Sequence, residues 1–204
     1  RATDGLGQTL RILDTGVSIK RYPVCYGGHR LIDGALDIAK RENLQADDVR
    51  EIRVTVGAAQ AAMMRNRQPR TVLEAKFSAE FDVASALVAR EVGLAQLTET
   101  FVARSDVQAL MKKVHVAITE RACPIDPAFS FADTVTIEMR DGSVYESGEI
   151  RFAKGNAKNP VSVEDLRTKF MDCLEFGGQS AAHPRLYERL SRLRDLNDLR
   201  QLFE

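Results

Sequence analysis

Thr134-Val135-Thr136-Ile137-Glu138-Met139 runs into Arg140-Asp141-Gly142 and leaves through Ser143-Val144-Tyr145-Glu146. Asp-Gly between two alternating apolar–polar runs is the strongest short-range signal for a β-hairpin. Strands are therefore expected over 134–139 and 143–152. Working outward, Val114, Val116 and Ile118 alternate with Lys113, His115 and Ala117, which predicts a half-buried strand. Val49 to Val56 alternates too, with Ile52, Val54 and Val56 on one side and Glu51, Arg53 and Thr55 on the other. Strands mixed with helices and closed by an antiparallel hairpin favour an α+β fold over a wound parallel sheet. The expected architecture is a small, mostly antiparallel sheet packed with helices, followed by a carboxy-terminal helical tail.

The helices follow from period and caps. Leu31, Ile32, Ala35, Leu36, Ile38 and Ala39 form the buried stripe of an amphipathic helix that begins near His29, after the Gly27-Gly28 turn. Thr71-Val72-Leu73-Glu74 reads as a capping box, and its helix is expected to run through Phe77, Phe81 and Leu87 to about Arg90, with Gly93 as the breaker. Short helices are expected over 97–103 and over 106–111, the second capped by Ser105. Arg11 to Asp14 suggests a short strand or an incoming extended segment, and 57–70 is ambiguous between helix and loop. Ser162 opens a helix that should end at Gly177-Gly178. A charged helix with leucines three or four apart is expected from Pro184 to Phe203. The expected division is an α+β domain over 1–160 and a helical tail over 161–204. The tail's leucine stripe is expected to dock on a missing domain or a partner chain.

Composition narrows the function. The 204 residues carry 29 basic and 29 acidic side chains and are 44% hydrophobic, enough for a real core. Such a balance gives no global field for nucleic acid or anionic membranes, although a local cationic pocket remains possible. Charges interrupt every apolar run, so no membrane span is expected. Cys25, Cys123 and Cys173 show no CxxC spacing, and the histidines are scattered, so neither a disulfide framework nor a metal site is suggested. A reducing cytoplasm is the expected compartment. The opening at Arg1 rather than Met hints at a processed or excised segment.

Three segments then carry a resemblance. Lys20-Arg21-Tyr22-Pro23-Val24-Cys25 followed by His29 looks like a Lys-Pro-Tyr-Pro-x-Cys…His signature. Glu74-Ala75-Lys76-Phe77-Ser78 follows Pro69-Arg70-Thr71. Asp141-Gly142, Gly155, Asn159-Pro160 and Leu166…Lys169-Phe170 form the third. In this order and spacing, from about Gly5 to Phe176, they resemble the carboxy-terminal domain of the MmgE/PrpD family. That family includes 2-methylcitrate dehydratases, cis-aconitate decarboxylases and an iminodisuccinate epimerase. The resemblance implies proton transfer at a carbon beside a carboxylate of a small polycarboxylic acid, with no metal or organic cofactor. It also implies a homodimer, and an active site in a cleft against a larger helical domain, mostly amino-terminal, that is missing from this segment.

His29 is the catalytic candidate, because an imidazole at a helix start can meet a carboxylate or move a proton near neutral pH. Spacing alone favours a histidine that caps or packs; the resemblance places it in the active site. Lys20, Lys76, Ser78 and Tyr22 are the substrate-binding candidates: by residue type alone the lysines read as surface, Ser78 as a satisfied hydroxyl and Tyr22 as packed beside Pro23, and the resemblance raises Lys76 and Ser78 as cleft residues. Cys25 reads as a packed thiol, Lys154 and Gly155 as a solvated loop, and His115 and His183 as residues without a partner. Where many relatives read Ser-x-Pro-Tyr, this chain has Ser78-Ala79-Glu80-Phe81, which removes a hydroxyl and adds a charge. A catalytically silent domain is therefore the alternative to a lyase or isomerase. The sequence leaves open which acid is bound and whether it is dehydrated, decarboxylated or epimerised.

Overall fold

The computed structural model describes residues 4–8, 10–14, 16–179 and 185–202. They divide into two compact units, Arg1–Pro160 and Val161–Glu204.

The first unit is built on a four-stranded sheet of order β2-β1-β3-β4. Its strands are β1 (Val49–Gly57), β2 (Val114–Thr119), β3 (Thr134–Met139) and β4 (Val144–Glu146). β1 pairs parallel with β2, Ile52 opposite Val114, and antiparallel with β3, Ile52 opposite Ile137. β3 and β4 are antiparallel, so the sheet is mixed and mostly antiparallel. Ile52, Val54, Val56, Val135, Ile137 and Met139 are buried, while Arg53 is exposed and Glu51, Thr55, Thr136 and Glu138 are half-buried between them. One face of the sheet thus carries the core, as the period-2 pattern demands.

Helix α2 (His29–Arg41) lies against β3 and against α5 (Ala79–Ala89), which packs in turn on α7 (Ser105–Met111) and β2. Leu31, Ile32, Ala35, Ile38 and Ala39 are buried and Leu36 is half-buried, matching the expected stripe. The ambiguous stretch 57–70 divides: α3 (Ala58–Met63) is helical, and 64–70 is a loop. The Asp-Gly turn closes with the Met139 N–H on the Ser143 carbonyl at 2.8 Å, and Gly142 takes φ +88°, where a Cβ would be strained.

Several expectations are corrected. The helix from Thr71 does not run to Arg90. Thr71 caps only the single turn α4 (Val72–Ala75), and Ser78 takes extended backbone to cap α5 through the Phe81 N–H. Phe77 therefore falls in the break and is exposed. α5 ends on Arg90 at φ 58°, three residues before Gly93. α6 (Glu99–Val102) is one turn, capped by Thr98. Ser105 opens α7 from inside, and Arg104 holds the cap position with no side-chain bond. Arg11–Asp14 is a helical turn (α1) rather than extended. β4 stops at Glu146, beyond which the pairing continues only in pieces, through the Ser147 N–H on the Val135 carbonyl and the Asp133–Ile150 bridge, among the described residues. Ile118 is exposed, because β2 is an edge strand whose far end leaves the core.

The second unit contains α8 (Val163–Phe176) and α9 (Leu186–Ser191). Ser162 caps α8 by accepting from the Asp165 N–H at 3.0 Å. The Phe170 and Tyr187 rings pack at 5.4 Å, and the Tyr187 hydroxyl donates to the Val163 carbonyl. The tail is not the continuous helix expected: α9 gives way to 3-10 turns at Leu193–Asp195 and Leu199–Leu202. Leu190, Leu193 and Leu199 are exposed. His183 lies outside the described residues. Among the described residues no helix is long and apolar enough to cross a membrane.

Candidate functional site

The start of α2 gathers the three segments singled out in the sequence. Pro23 keeps Tyr22 out of the helical region, and the chain bends from Arg21 to Val24 before the 3-10 turn Tyr26–Gly28 delivers His29. Cys25 donates its N–H to the Lys76 carbonyl at 2.8 Å, which ties the first segment to the second. Ile19 donates to the Gly155 carbonyl at 2.8 Å, and the Tyr22 hydroxyl and the Lys154 N–H share the two oxygens of Asp33, each at 2.7 Å. The third segment is thereby tied to the first.

His29 is fully buried between two tyrosine rings, Tyr22 edge-on at 5.1 Å and Tyr26 tilted at 4.9 Å. Among the described residues, neither Nδ1 nor Nε2 has a hydrogen-bond partner. Burial, and then the positive charge of Lys20, lower its pKa from 6.5 to about 4. The backbones of Val24 and Tyr22 pull the other way but miss hydrogen-bond geometry. At neutral pH the ring is an uncharged imidazole sealed from solvent in this conformation.

The other candidates divide. Lys20 is exposed and its Nζ donates to the Val24 carbonyl at 3.0 Å, closing the loop that covers His29. Tyr22 is buried and anchored on Asp33. Lys76 is half-buried, with no side-chain hydrogen bond among the described residues. Ser78 is buried, and its hydroxyl is spent as the α5 cap and as a 3.4 Å donor to Glu80. Cys25 is a half-buried free thiol. Phe81 is core, edge-to-face with Phe101 at 6.2 Å. Glu80 is buried, held by Arg67 at 3.3 Å, with its pKa raised by burial. Among the described residues no three His, Cys, Asp or Glu side chains gather as metal ligands.

The family model of the MmgE/PrpD C-terminal domain matches residues 22–191. The chain belongs to the MmgE/PrpD family. No curated protein matches it in sequence.

Two features of this MmgE/PrpD domain escaped the sequence. Asp82 on α5 is fully buried with no hydrogen-bond partner for either oxygen among the described residues, and its carboxyl is pushed well above the usual range by burial and by Glu80. It presses on the turn before His29: a Cβ built at Gly28 would lie 1.9 Å from Asp82 Oδ2. Arg30 is the second. All five of its N–H groups are used, on Asp133, Gln60, the Ser130 hydroxyl and the carbonyls of Ser130 and Arg151. Its Nε–Asp133 contact is a buried ion pair at 2.8 Å. No local signal marks this hub, because its partners lie 30 to 121 residues away.

Proposed function

We propose that this domain is the carboxy-terminal part of a cofactor-independent lyase or isomerase acting on small di- or tricarboxylic acids. An amino-terminal helical domain outside this chain would complete the cleft, in a cytoplasmic homodimer. The observation that supports the proposal most is the convergence of Lys20–His29, Lys76–Ser78 and Lys154–Asn159 on one helix start, around a buried histidine with no hydrogen-bond partner among the described residues. An unpartnered buried polar group is uncommon and calls for a reason, and catalysis is one.

In this proposal His29 serves as an uncharged base. Its depressed pKa keeps Nδ1 or Nε2 unprotonated at pH 7, ready to take a proton alpha to a carboxylate. Lys20 and Lys76 stabilise the charge that the departing proton leaves on the carboxylate oxygens. Tyr22 orients the ring, and Ser78 shapes the wall by capping α5. Substrate reaches His29 when the Lys20–Val24 loop, latched by the lysine, moves aside.

The test uses the full-length protein with 2-methylcitrate, cis-aconitate and related acids. His29→Asn is expected to lower turnover by about a hundredfold or more, the scale of acid–base catalysis. Near-normal turnover in a correctly folded variant would sink the assignment.

A second reading has observations of its own. His29 is sealed and Phe81 offers no hydroxyl, as a catalytically silent interaction domain would allow. The exposed leucines of the second unit would be its docking element. In that case wild-type full-length protein shows no turnover, and removing residues 184–204 changes its oligomeric state.

A further inference from the structure

Beside the His29 cradle lies a separate pocket of about 190 Å³. Tyr26 connects the two, because its ring packs on His29 and on Phe129 at 6.1 Å. The Phe129 and Phe152 rings and Ile125 supply apolar wall. Ser18, Tyr26 and Asn156 supply polar rim, and their side chains already converge: the tyrosine hydroxyl reaches Ser18 Oγ at 3.2 Å, and Asn156 Nδ2 lies 3.3 Å from Ser18 Oγ and 3.4 Å from the tyrosine.

Two guanidinium groups line this pocket, and they differ. Arg30 is saturated and neutralised by Asp133. Arg151 has no side-chain hydrogen bond or ion pair among the described residues. Its guanidinium stacks 4.0 Å from the Phe131 ring centre and 5.4 Å from that of Phe152, which uses its face and leaves its N–H edge available. Arg30 fixes the position of this residue by donating to its backbone carbonyl at 3.1 Å. The lining carboxylate, Asp126, has one oxygen on the Ala128 N–H at 3.2 Å and opposes an incoming anion.

We infer that this pocket binds one carboxylate arm of a small acid, with Arg151 as its charged partner and the Phe129 and Phe152 rings against its carbon chain. A stacked, unpaired guanidinium presents parallel donors that match a carboxylate. The apolar wall suits a short aliphatic chain better than a fully hydrated inorganic anion. Assigning the arm to a substrate rests on the polycarboxylate proposal above; the carboxylate site itself does not.

Cys123 lines the same pocket as a half-buried free thiol and reports on its occupancy. The experiment alkylates the full-length protein with uncharged iodoacetamide and follows each cysteine by peptide mass spectrometry. Sodium butyrate, butyramide and sodium chloride at matched ionic strength are compared. Butyrate is expected to slow alkylation of Cys123 but not of Cys173, and butyramide and chloride to do neither. Arg151→Gln should weaken the protection about tenfold or more, the scale of a charge-assisted hydrogen bond. Asp126→Asn should strengthen it about threefold by removing a like charge, a gain that misfolding cannot mimic. Equal protection by butyramide, undiminished protection in Arg151→Gln, or no protection at all would overturn the site. Protection without turnover of any polycarboxylic acid would leave the site standing and remove the catalytic proposal. Turnover with no protection and an unchanged KM in Arg151→Gln would do the reverse.

Discussion

The hydroxyl of Tyr22 donates to Asp33 at 2.7 Å, while the second oxygen of the same carboxylate accepts the Lys154 N–H at the same distance. One half-buried side chain on α2 therefore clamps both the loop that covers His29 and the loop that follows the hairpin. Tyr22→Phe removes one bond and is expected to cost about 1 kcal/mol. Asp33→Ala strands a backbone donor as well and should cost about 2 to 3 kcal/mol. The double variant should cost less than the sum by about 1 kcal/mol, because the first change already removes what the second would break. Urea unfolding of the four proteins measures all three quantities, and strict additivity would show that the clamp does not couple the loops.

Gly28 is required for space, since its φ of −90° suits any residue. A methyl group there would sit 1.9 Å from Asp82 Oδ2 and 3.3 Å from Met64 Sδ. Gly28→Ala is therefore expected to destabilise by about 3 kcal/mol, the upper end for overpacking. In an Asp82→Ala background the penalty should shrink by about 1 kcal/mol or more, because the carboxylate it meets is gone. An unchanged penalty, read from denaturant midpoints, would place the conflict elsewhere.

The pH dependence of stability follows from His29 and Asp82, with opposite signs. His29 titrates at about 4 when folded and at 6.5 when unfolded, so between these values the unfolded chain binds the extra proton. Stability from this group is complete above pH 6.5 and falls by about 3 kcal/mol as pH drops to 4. The raised carboxyl of Asp82 acts in reverse: the folded protein holds the proton longer, so stability is lost as pH rises above the ordinary carboxylate range. Asp33, Glu80 and Asp133, all raised by burial, add to the second trend. Asp82→Asn should stabilise at pH 8 by about 1 kcal/mol or more relative to pH 4, since its side chain stays neutral throughout. It should also steepen the rise from pH 4 to 6.5, and His29→Asn should flatten it. Unfolding curves at pH 4, 6.5 and 8 decide the matter, and a loss of stability at pH 8 in Asp82→Asn would contradict the assigned sign.

The parts of this fold that were legible in the sequence are those with a local cause. Asp141-Gly142 between alternating strands and the 3.6-residue stripe of α2 are short-range patterns, and each formed as expected. Residues 71–90 misled because apolar residues continue across Phe77-Ser78 at helical spacing. The serine oxygen bonded to the Phe81 N–H stops one helix and starts the next, a choice that periodicity does not register. At the candidate site, His29 stood out by its residue type and its neighbouring glycines. Its burial did not, because the two rings that enclose it belong to a loop with no regular period. Asp82 looked like an ordinary helix residue, and only the packing of α5 on α2 seals it.

Arg30 was the least legible residue of all, and its environment sets a demanding test. Its guanidinium satisfies buried acceptors from Gln60, Ser130 and Asp133 and the part-buried carbonyl of Arg151, and Gln60 and Ser130 also bond to each other and to Asp133. Lysine keeps the charge but offers three donors from one point, where the planar fork serves five contacts. Arg30→Lys therefore leaves buried oxygens without partners and should cost about 3 to 5 kcal/mol, as when a buried ion-pair network is broken. Arg41 lies on the same helix, but its partners Asp37, Glu42 and the Glu146 carbonyl are at the surface. Arg41→Lys should leave the unfolding midpoint unchanged, which separates loss of the buried fork from any general effect of arginine on α2. A small effect at Arg30, no larger than at Arg41, would mean that the network is rebuilt around water and that the hub does not hold the Arg151 loop in place.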